Sequence, residues 1–128
     1  MEENPQLYKE EAAATLRILR QRVLWKPGKA MVHLEKRKAM NHLPADSLLE
    51  EYNGLIQALV QEGKHQVYLY RFGSERYYAV RGSARGAEWL VIATRGGMIE
   101  TAFPPDAMDD YLNRRGFVFI GTIQEVLT

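Results

Sequence analysis

The sequence predicts a single α+β domain in which N-terminal helices pack on a four- to five-stranded, mostly antiparallel sheet. Two observations support this prediction. Up to about residue 62, apolar side chains recur every three to five positions, which is the spacing of amphipathic helices. After Gly63 the apolar spacing becomes that of short strands separated by tight turns. Because 128 residues is the length of one ordinary domain, we expect residues 1–128 to form a single domain.

Three helices are expected, at residues 6–24, at residues 31–42, and from a cap at Asp46 or Ser47 to Gly63. The first helix ends because the Pro27-Gly28 pair does not continue a helix easily. The second ends before Pro44, since a residue that precedes proline avoids helical backbone angles. We therefore expect an N-terminal helical arm over residues 1–28 beside a core over residues 30–121.

Five strands are expected, at residues 66–72, 76–81, 88–94, 98–103 and 117–120, with a short helix near residues 105–113. The first two strands form a hairpin through the turn Gly73–Glu75. Residues 82–86 are predicted as a loop because Gly, Ser and Ala predominate there. Residues 88–94 are almost continuously apolar, which is typical of a central strand. Pairing of consecutive strands gives a meander.

Composition excludes several classes of protein. The chain has no cysteine, which excludes disulfides, zinc–thiolate sites and cysteine nucleophiles. The three histidines do not have the spacing of a metal-ligand set, so we expect neither a metal nor another cofactor.

No stretch approaches the roughly 18–20 apolar residues of a membrane span. The segment Met1–Pro5 is acidic and polar, with no signal-peptide core after it. The expectation is a cytoplasmic protein without a membrane partner.

Charge is distributed in blocks although the net charge is only +1. Residues 15–40 hold eight basic side chains against one acidic side chain, and residues 64–95 hold six against two. The intervening residues 41–63 hold four acidic side chains and no lysine or arginine. The basic blocks either form one positive face that attracts phosphate or neutralise the acidic helix in a salt-bridged surface.

The first candidate site is the segment that contains His33, Lys36 and Arg37. On a helix these residues share one face, because positions i, i+3 and i+4 are neighbours. An imidazole beside two cations suits proton transfer next to a bound phosphate, and the cations lower its pKa toward the neutral, basic form. The alternative is an exposed helix face on which the histidine is incidental.

The second candidate is Thr101 in the fourth strand. Strict alternation places Ile99, Thr101 and Phe103 on one face and Met98, Glu100 and Ala102 on the other. A hydroxyl between two apolar neighbours needs a hydrogen-bond partner. That partner is either a neighbouring strand or a phosphate oxygen.

The third candidate is the hairpin of the first two strands, where tyrosines and arginines alternate: Tyr68, Tyr70, Arg71, Arg76, Tyr77, Tyr78 and Arg81. Tyrosine and arginine together offer base stacking and phosphate contacts. Half-buried tyrosines with solvated hydroxyl groups are also ordinary strand residues. Both interpretations remain open.

The order of these elements, with the segments R-Y-Y-A-V, E-W-L-V-I-A and G-G-M-I-E-T-A-F-P, resembles the barnase–EndoU–colicin–RelE group of ribonucleases over about residues 30–121. The resemblance implies a metal-independent endoribonuclease of toxin type that cleaves RNA to a 2′,3′-cyclic phosphate without a cofactor. The catalytic residues that it implies are His33, Lys36, Arg37 and Thr101. The substrate-binding residues that it implies are Arg71, Arg76 and Tyr78.

The alternative function is a non-catalytic module that binds a protein or RNA. One form of this alternative is an immunity or inhibitor protein whose acidic residues 44–63 meet a basic toxin. Residues 6–24 offer apolar positions through which two copies could form a homodimer. The ribonuclease hypothesis instead implies RNA and an antitoxin or immunity protein as partners. It also makes a geometric prediction, which is that His33, Arg37 and Thr101 lie at one cleft.

Overall fold

The structure is a computed structural model that describes residues 5–128. Its elements follow one another as helices α1 Pro5–Gln21, α2 Ala30–Ala39 and α3 Leu49–Gln61, strands β1 Gln66–Phe72, β2 Glu75–Ala84, β3 Ala87–Thr94 and β4 Ile99–Phe103, helix α4 Met108–Arg115, strand β5 Val118–Thr122 and helix α5 Ile123–Leu127. The predicted α+β fold is confirmed.

The five strands form one sheet in the order β4-β3-β2-β1-β5, and every neighbouring pair is antiparallel. The first four strands are a meander, as expected. The chain then crosses through α4 and adds β5 beside β1. Strands β4 and β5 are consequently the two edges of the sheet.

Side chains pack on both faces of the sheet. On one face, Trp89, Val91 and Ala93 of β3 belong to a large buried cluster with α1, α2, α3 and α5. On the other face, Leu90 and Ile92 pack with residues of α4. This explains why β3 is almost continuously apolar, because a strand covered on both faces needs apolar side chains at successive positions.

Helix α1 contributes to the core of the domain. Ala12, Leu16 and Leu19 are buried in the large cluster, beside residues of α3 and the sheet. The segment that the sequence suggested as an arm therefore supplies part of the hydrophobic core. The apolar face proposed for a homodimer through residues 6–24 is used within the chain.

The predicted loop at residues 82–86 is wrong, because β2 continues to Ala84 and pairs with β3 up to the turn. Gly82 is buried within the strand, where a Cβ atom would collide with the imidazole of His65. Arg85 and Gly86 both have positive φ, +52° and +76°. This is the conformation of a two-residue hairpin turn that matches the strand twist.

The predicted cap of the third helix by Asp46 or Ser47 is also wrong. The N-cap residue of α3 is Leu48, and no side-chain oxygen caps the helix there. Instead, the Glu51 carboxylate accepts a hydrogen bond from the Leu48 backbone N–H at 2.9 Å. This hydrogen bond is the one that the glutamate contributes to a capping box. It satisfies the backbone N–H of the N-cap residue without a capping hydroxyl.

Residues after α1 cover part of the outer edge of the sheet. The N–H of Ile99 donates to the carbonyl of Leu24 at 2.6 Å, and the N–H of Lys26 donates to the carbonyl of Ile99 at 2.9 Å. Trp25 thereby forms a parallel bridge with Ile99. This short pairing brings Trp25 and Lys26 to β4, beside α2.

Candidate functional site

An irregularity in β4 determines which side chains face α2. Ile92 pairs with Thr101, but the next residue of β3, Ala93, pairs with Ile99. Glu100 is therefore the extra residue of a β-bulge. The predicted alternation is wrong at this point, because Ile99 and Ala102 both lie in the large cluster on the helix-covered face. The bulge turns Glu100 and Thr101 toward the outer edge of the sheet, where α2 lies.

Three residues at four-residue intervals, the N-cap residue of α2 and two residues within the helix, contact successive parts of β4. Lys29, which precedes the first turn, lies 3.2 Å from Glu100 through Nζ and Oε1. His33 Nδ1 lies 3.2 Å from Thr101 Oγ1. The guanidinium of Arg37 lies over the Phe103 ring, 5.6 Å from its centroid. Residues four apart share one helix face, so a single face of α2 contacts the edge of β4.

His33 is fixed by contacts on two sides. Its ring stacks on Trp25, with centroids 6.1 Å apart and planes 19° apart. Trp25 in turn donates a hydrogen bond of 2.7 Å from Nε1 to Asn53 Oδ1 on α3. With Nδ1 at Thr101, the imidazole is oriented, while Nε2 has no hydrogen-bond partner within residues 5–128.

The environment of His33 favours the neutral imidazole. Burial is the largest cause and lowers the pKa, and the positive charges of Lys29, Arg37 and Lys36 lower it further. Glu100 acts in the opposite direction but does not cancel these effects. A neutral imidazole at neutral pH is able to accept a proton.

Glu100 is a carboxylate held between two lysines. Its Oε1 lies 3.2 Å from Lys29 Nζ, and its Oε2 lies 3.2 Å from Lys26 Nζ. Partial burial raises the pKa of Glu100, but the hydrogen bonds and charges of the two lysines outweigh this effect and the net pKa is lowered. The carboxylate is therefore ionised beside His33, and it neutralises part of the positive charge there.

Arg37 is an unusual residue because it is buried without an acidic partner. The residue is 4% exposed. Nη2 donates to Met40 Sδ at 3.7 Å, a weak interaction, and neither Nε nor Nη1 has a hydrogen-bond partner in the described part of the chain. Burial lowers the pKa of Arg37, although a guanidinium remains charged in any protein. Buried charges are normally paired.

A cleft of about 420 Å³ opens where α2 ends and α4 begins. Its lining residues include Lys36 and Arg37 from α2, Phe103 and Pro104 at the end of β4, and Tyr111 and Arg115 from α4. The cleft starts one helical turn along α2 from His33. His33 and Thr101 are in contact, and Lys36 and Arg37 line the adjacent cleft. Neither His33 nor Thr101 lines that cleft, so the prediction that His33, Arg37 and Thr101 lie at one cleft is not met there.

The structure does not bring the predicted substrate-binding residues to this region. Arg76 forms two hydrogen bonds with the Glu11 carboxylate of α1, at 2.9 and 3.0 Å, and Tyr78 is buried and donates to the same carboxylate at 2.6 Å. Arg71 donates to the Tyr8 hydroxyl. The contacts shown for all three residues attach α1 to the hairpin.

Sequence reasoning did not identify Trp25, Lys26, Lys29 and Glu100 as neighbours of His33. Trp25 and Lys26 reach the site only because residues 24–26 pair with β4, and no local pattern indicates that pairing. The side of the strand predicted for Glu100 is wrong because a bulge is not visible in a period-two pattern. Lys29 did have a signal, since it lies four residues before His33 and so on the same helix face.

Residues 5–128 contain no group of three or more histidine or acidic side chains arranged to hold a metal ion. Among the helices of this part of the chain, none has the length and apolar character required to cross a membrane.

Comparison of the chain with models of known protein families, with curated proteins and with solved structures finds no match in any of the three.

Proposed function

We propose that this protein is a metal-independent endoribonuclease of toxin type, with His33 as the proton-transfer residue. The observation that carries the proposal is the contact between His33 Nδ1 and Thr101 Oγ1 at 3.2 Å. It joins a half-buried histidine to a strand hydroxyl beside Lys29, Lys36 and Arg37. The resemblance to the barnase–EndoU–colicin–RelE group supports the same assignment.

The chemistry requires only the RNA itself and side chains of this type. The ribose 2′-oxygen attacks the adjacent phosphorus, a 2′-O–P bond forms, and the P–O5′ bond breaks. When Nδ1–H donates to Thr101, Nε2 of the neutral imidazole accepts the 2′-hydroxyl proton. The protonated imidazole then donates this proton to the departing 5′-oxygen. The products are a 2′,3′-cyclic phosphate and a free 5′-hydroxyl, so atoms balance without water or metal.

The positive side chains have a separate role. Negative charge accumulates on the phosphate oxygens as the pentacoordinate state forms, and cations held in place before the reaction stabilise it. Lys36 and Arg37 are the proposed phosphate ligands, and the Thr101 hydroxyl bonds a phosphate oxygen. An RNA substrate would place the activity in the cytoplasm, and an antitoxin or immunity protein would be its natural inhibitor.

The test is cleavage of a fluorescently end-labelled single-stranded RNA by purified protein in EDTA. We compare the wild type with His33→Ala and Thr101→Val, the second of which removes a hydroxyl with little change in size or charge. We expect His33→Ala to reduce the rate by about 100-fold or more and Thr101→Val to reduce it by a smaller factor. Mass spectrometry should identify the cyclic phosphate product.

Lys36→Met and Lys38→Met form a matched pair for the phosphate role. Both remove one charge from α2, but Lys36 lines the cleft, whereas Lys38 pairs with Glu35 at 2.9 Å. Only Lys36→Met should slow cleavage. Equal cleavage by the wild type and His33→Ala would mean that the activity is a contaminant or lies elsewhere, and the ribonuclease assignment would fail.

Binding without cleavage is the second candidate function, and the buried Arg37 favours it. A cation without a partner creates a site for an anion whether or not a reaction follows. Under this alternative all variants are inactive on RNA, but Arg37 still determines the affinity for the ligand. The ligand would then be a protein or an RNA that the chain holds intact.

A further inference from the structure

The cleft beside Arg37 has the features of a site built for a phosphate-bearing ligand. Within residues 5–128, Nε and Nη1 of Arg37 are buried and have no hydrogen-bond partner. A buried charge with unsatisfied N–H groups is costly to the fold. An anion with planar or tetrahedral oxygens would satisfy them, since a guanidinium offers several donors in a fixed fork.

The charge of the cleft walls is positive even after its acidic residues are counted. Four cationic side chains, Lys36, Arg37, Arg114 and Arg115, are opposed by two carboxylates, Asp106 and Asp110. Asp110 is already paired with Arg114 at 3.1 Å. Within the described residues, no ion pair satisfies Arg37. The acidic side chains in the cleft therefore do not replace the missing anion.

The α4 wall carries an aromatic surface suited to a base. Tyr111 is partly exposed in the cleft, and Phe103 packs edge-on against it with centroids 5.2 Å apart. The guanidinium of Arg115 lies over the Tyr111 ring, 4.8 Å from its centroid. Bases stack on such aromatic and guanidinium surfaces without strict sequence dependence. The volume of about 420 Å³ lies within the usual range of small-molecule pockets, about 300–1,000 Å³.

The cleft and the His33–Thr101 pair lie close enough to serve one ligand. Arg37 follows His33 by four residues on α2, which corresponds to about 6 Å along the helix axis. Thr101 and Phe103 are likewise two residues apart on β4. His33 and Thr101 do not line the cleft themselves, so an RNA chain whose nucleotide occupies the cleft would continue about one helical turn further to reach the imidazole.

We propose that the cleft is a nucleotide subsite of the ribonuclease proposed above, in which Arg37 binds the phosphate and Tyr111 stacks on the base of the adjoining nucleotide. This inference rests on the proposed function for its RNA substrate. Because the base must leave any duplex to enter the cleft, the substrate is single-stranded RNA. Arg37 and Tyr111 then determine affinity, with little preference among bases because stacking is tolerant of sequence.

Binding is measured separately from cleavage with ligands that cannot be cleaved. The probes are adenosine 3′-monophosphate, adenosine and inorganic phosphate, titrated calorimetrically into the full chain in a buffer free of phosphate and sulfate. Adenosine 3′-monophosphate should bind more tightly than either fragment. Arg37→Met should weaken its binding at least 10-fold, and Tyr111→Leu should weaken it about 5-fold or more without changing the binding of phosphate.

Matched control variants keep the test interpretable. Lys38→Met removes a charge from α2 outside the cleft, and Phe119→Leu removes an aromatic ring that is exposed on β5. Neither should change affinity by more than 2-fold. Circular dichroism of each variant verifies folding before titration. Tyr111→Phe keeps the stacking surface and should retain the affinity of the wild type, and it replaces Tyr111→Leu in the comparison if the leucine variant does not fold.

The outcomes separate this inference from the proposed function. Nucleotide binding that depends on Arg37 and Tyr111, without RNA cleavage, supports the subsite and overturns the ribonuclease. Cleavage that His33→Ala abolishes but Arg37→Met and Tyr111→Leu leave unchanged supports the ribonuclease and overturns the subsite. Failure of all probes to bind at millimolar concentration, or binding of an acidic peptide in their place, also overturns the subsite.

Discussion

Replacing Arg37 with methionine should make the protein more stable, although it removes a charged residue from the candidate site. Arg37 Nε and Nη1 are buried without a partner in residues 5–128, and each unsatisfied donor costs about 1–3 kcal/mol. The substitution also loses the cation–π contact with Phe103, which is about 0.5–2 kcal/mol. Methionine fills a similar volume with a flexible apolar chain. The balance is a gain of about 2 kcal/mol in the free energy of unfolding.

Thermal unfolding followed by circular dichroism measures this gain. For a domain of this length, about 2 kcal/mol raises the Tm by roughly 6–10 °C. The buffer must contain no phosphate or sulfate, because an anion that binds the folded wild type would stabilise it by mass action. Added phosphate should then raise the Tm of the wild type and leave that of Arg37→Met unchanged.

A lower Tm for Arg37→Met in anion-free buffer would refute this reasoning. It would mean that the guanidinium stabilises the fold through its own environment, so that no missing anion is needed to explain its burial. Lys38→Met is the control for removal of a charge from α2, and we expect its Tm to stay within about 2 °C of the wild type because its ion pair with the exposed Glu35 contributes little.

Three further predictions concern the fold and its pH dependence. Gly82→Ala should lower the free energy of unfolding by about 1–3 kcal/mol in urea titrations, because the added methyl group meets the His65 ring; an unchanged midpoint would show that the ring moves freely. The Arg76 hydrogen bond is the largest cause of the lowered pKa of Glu11. The stability from this carboxylate is therefore present above about pH 4.5 and is lost as pH falls through the folded pKa. Glu11→Gln should lose less free energy of unfolding at acidic pH than the wild type. The pKa of His33 is lower in the folded than in the unfolded state, mainly through burial, so the unfolded chain binds the proton more readily and stability should rise with pH up to about 6.5; His33→Gln should flatten that rise, and an identical slope would contradict the burial of the ring.

The fold class could be predicted because local spacing and global packing agree. Leu16 and Leu19 in α1 and the apolar run of β3 are buried where their periodicity predicts. The errors lie where a tertiary contact overrides a local preference. The composition around Gly82 predicts a loop, but Gly82 is a strand residue that makes room for His65. Such a contact between distant residues has no signature in a short window of sequence.

The candidate site was only partly predictable, for a similar reason. His33 and Arg37 lie on one helix face because of spacing within a single element, which a sequence reveals directly. The side of the sheet occupied by Glu100 and Thr101 depends on a bulge, which shifts the register by one residue. Arg76 and Tyr78 have a composition suited to nucleic acid, but Glu11 of α1 occupies their polar groups. Composition alone does not reveal an intramolecular partner.

The pairing of residues 24–26 with β4 has a consequence for when the site forms during synthesis. Trp25 and His33 leave the ribosome early, but Ile99 and Thr101, which hold them, follow only after most of the sheet has been made. Until then the imidazole has neither its hydrogen-bond partner nor the fixed tryptophan beside it. The contact between His33 and Thr101 therefore forms only when the fourth strand is in place, so any function that depends on this contact waits until most of the sheet has been made.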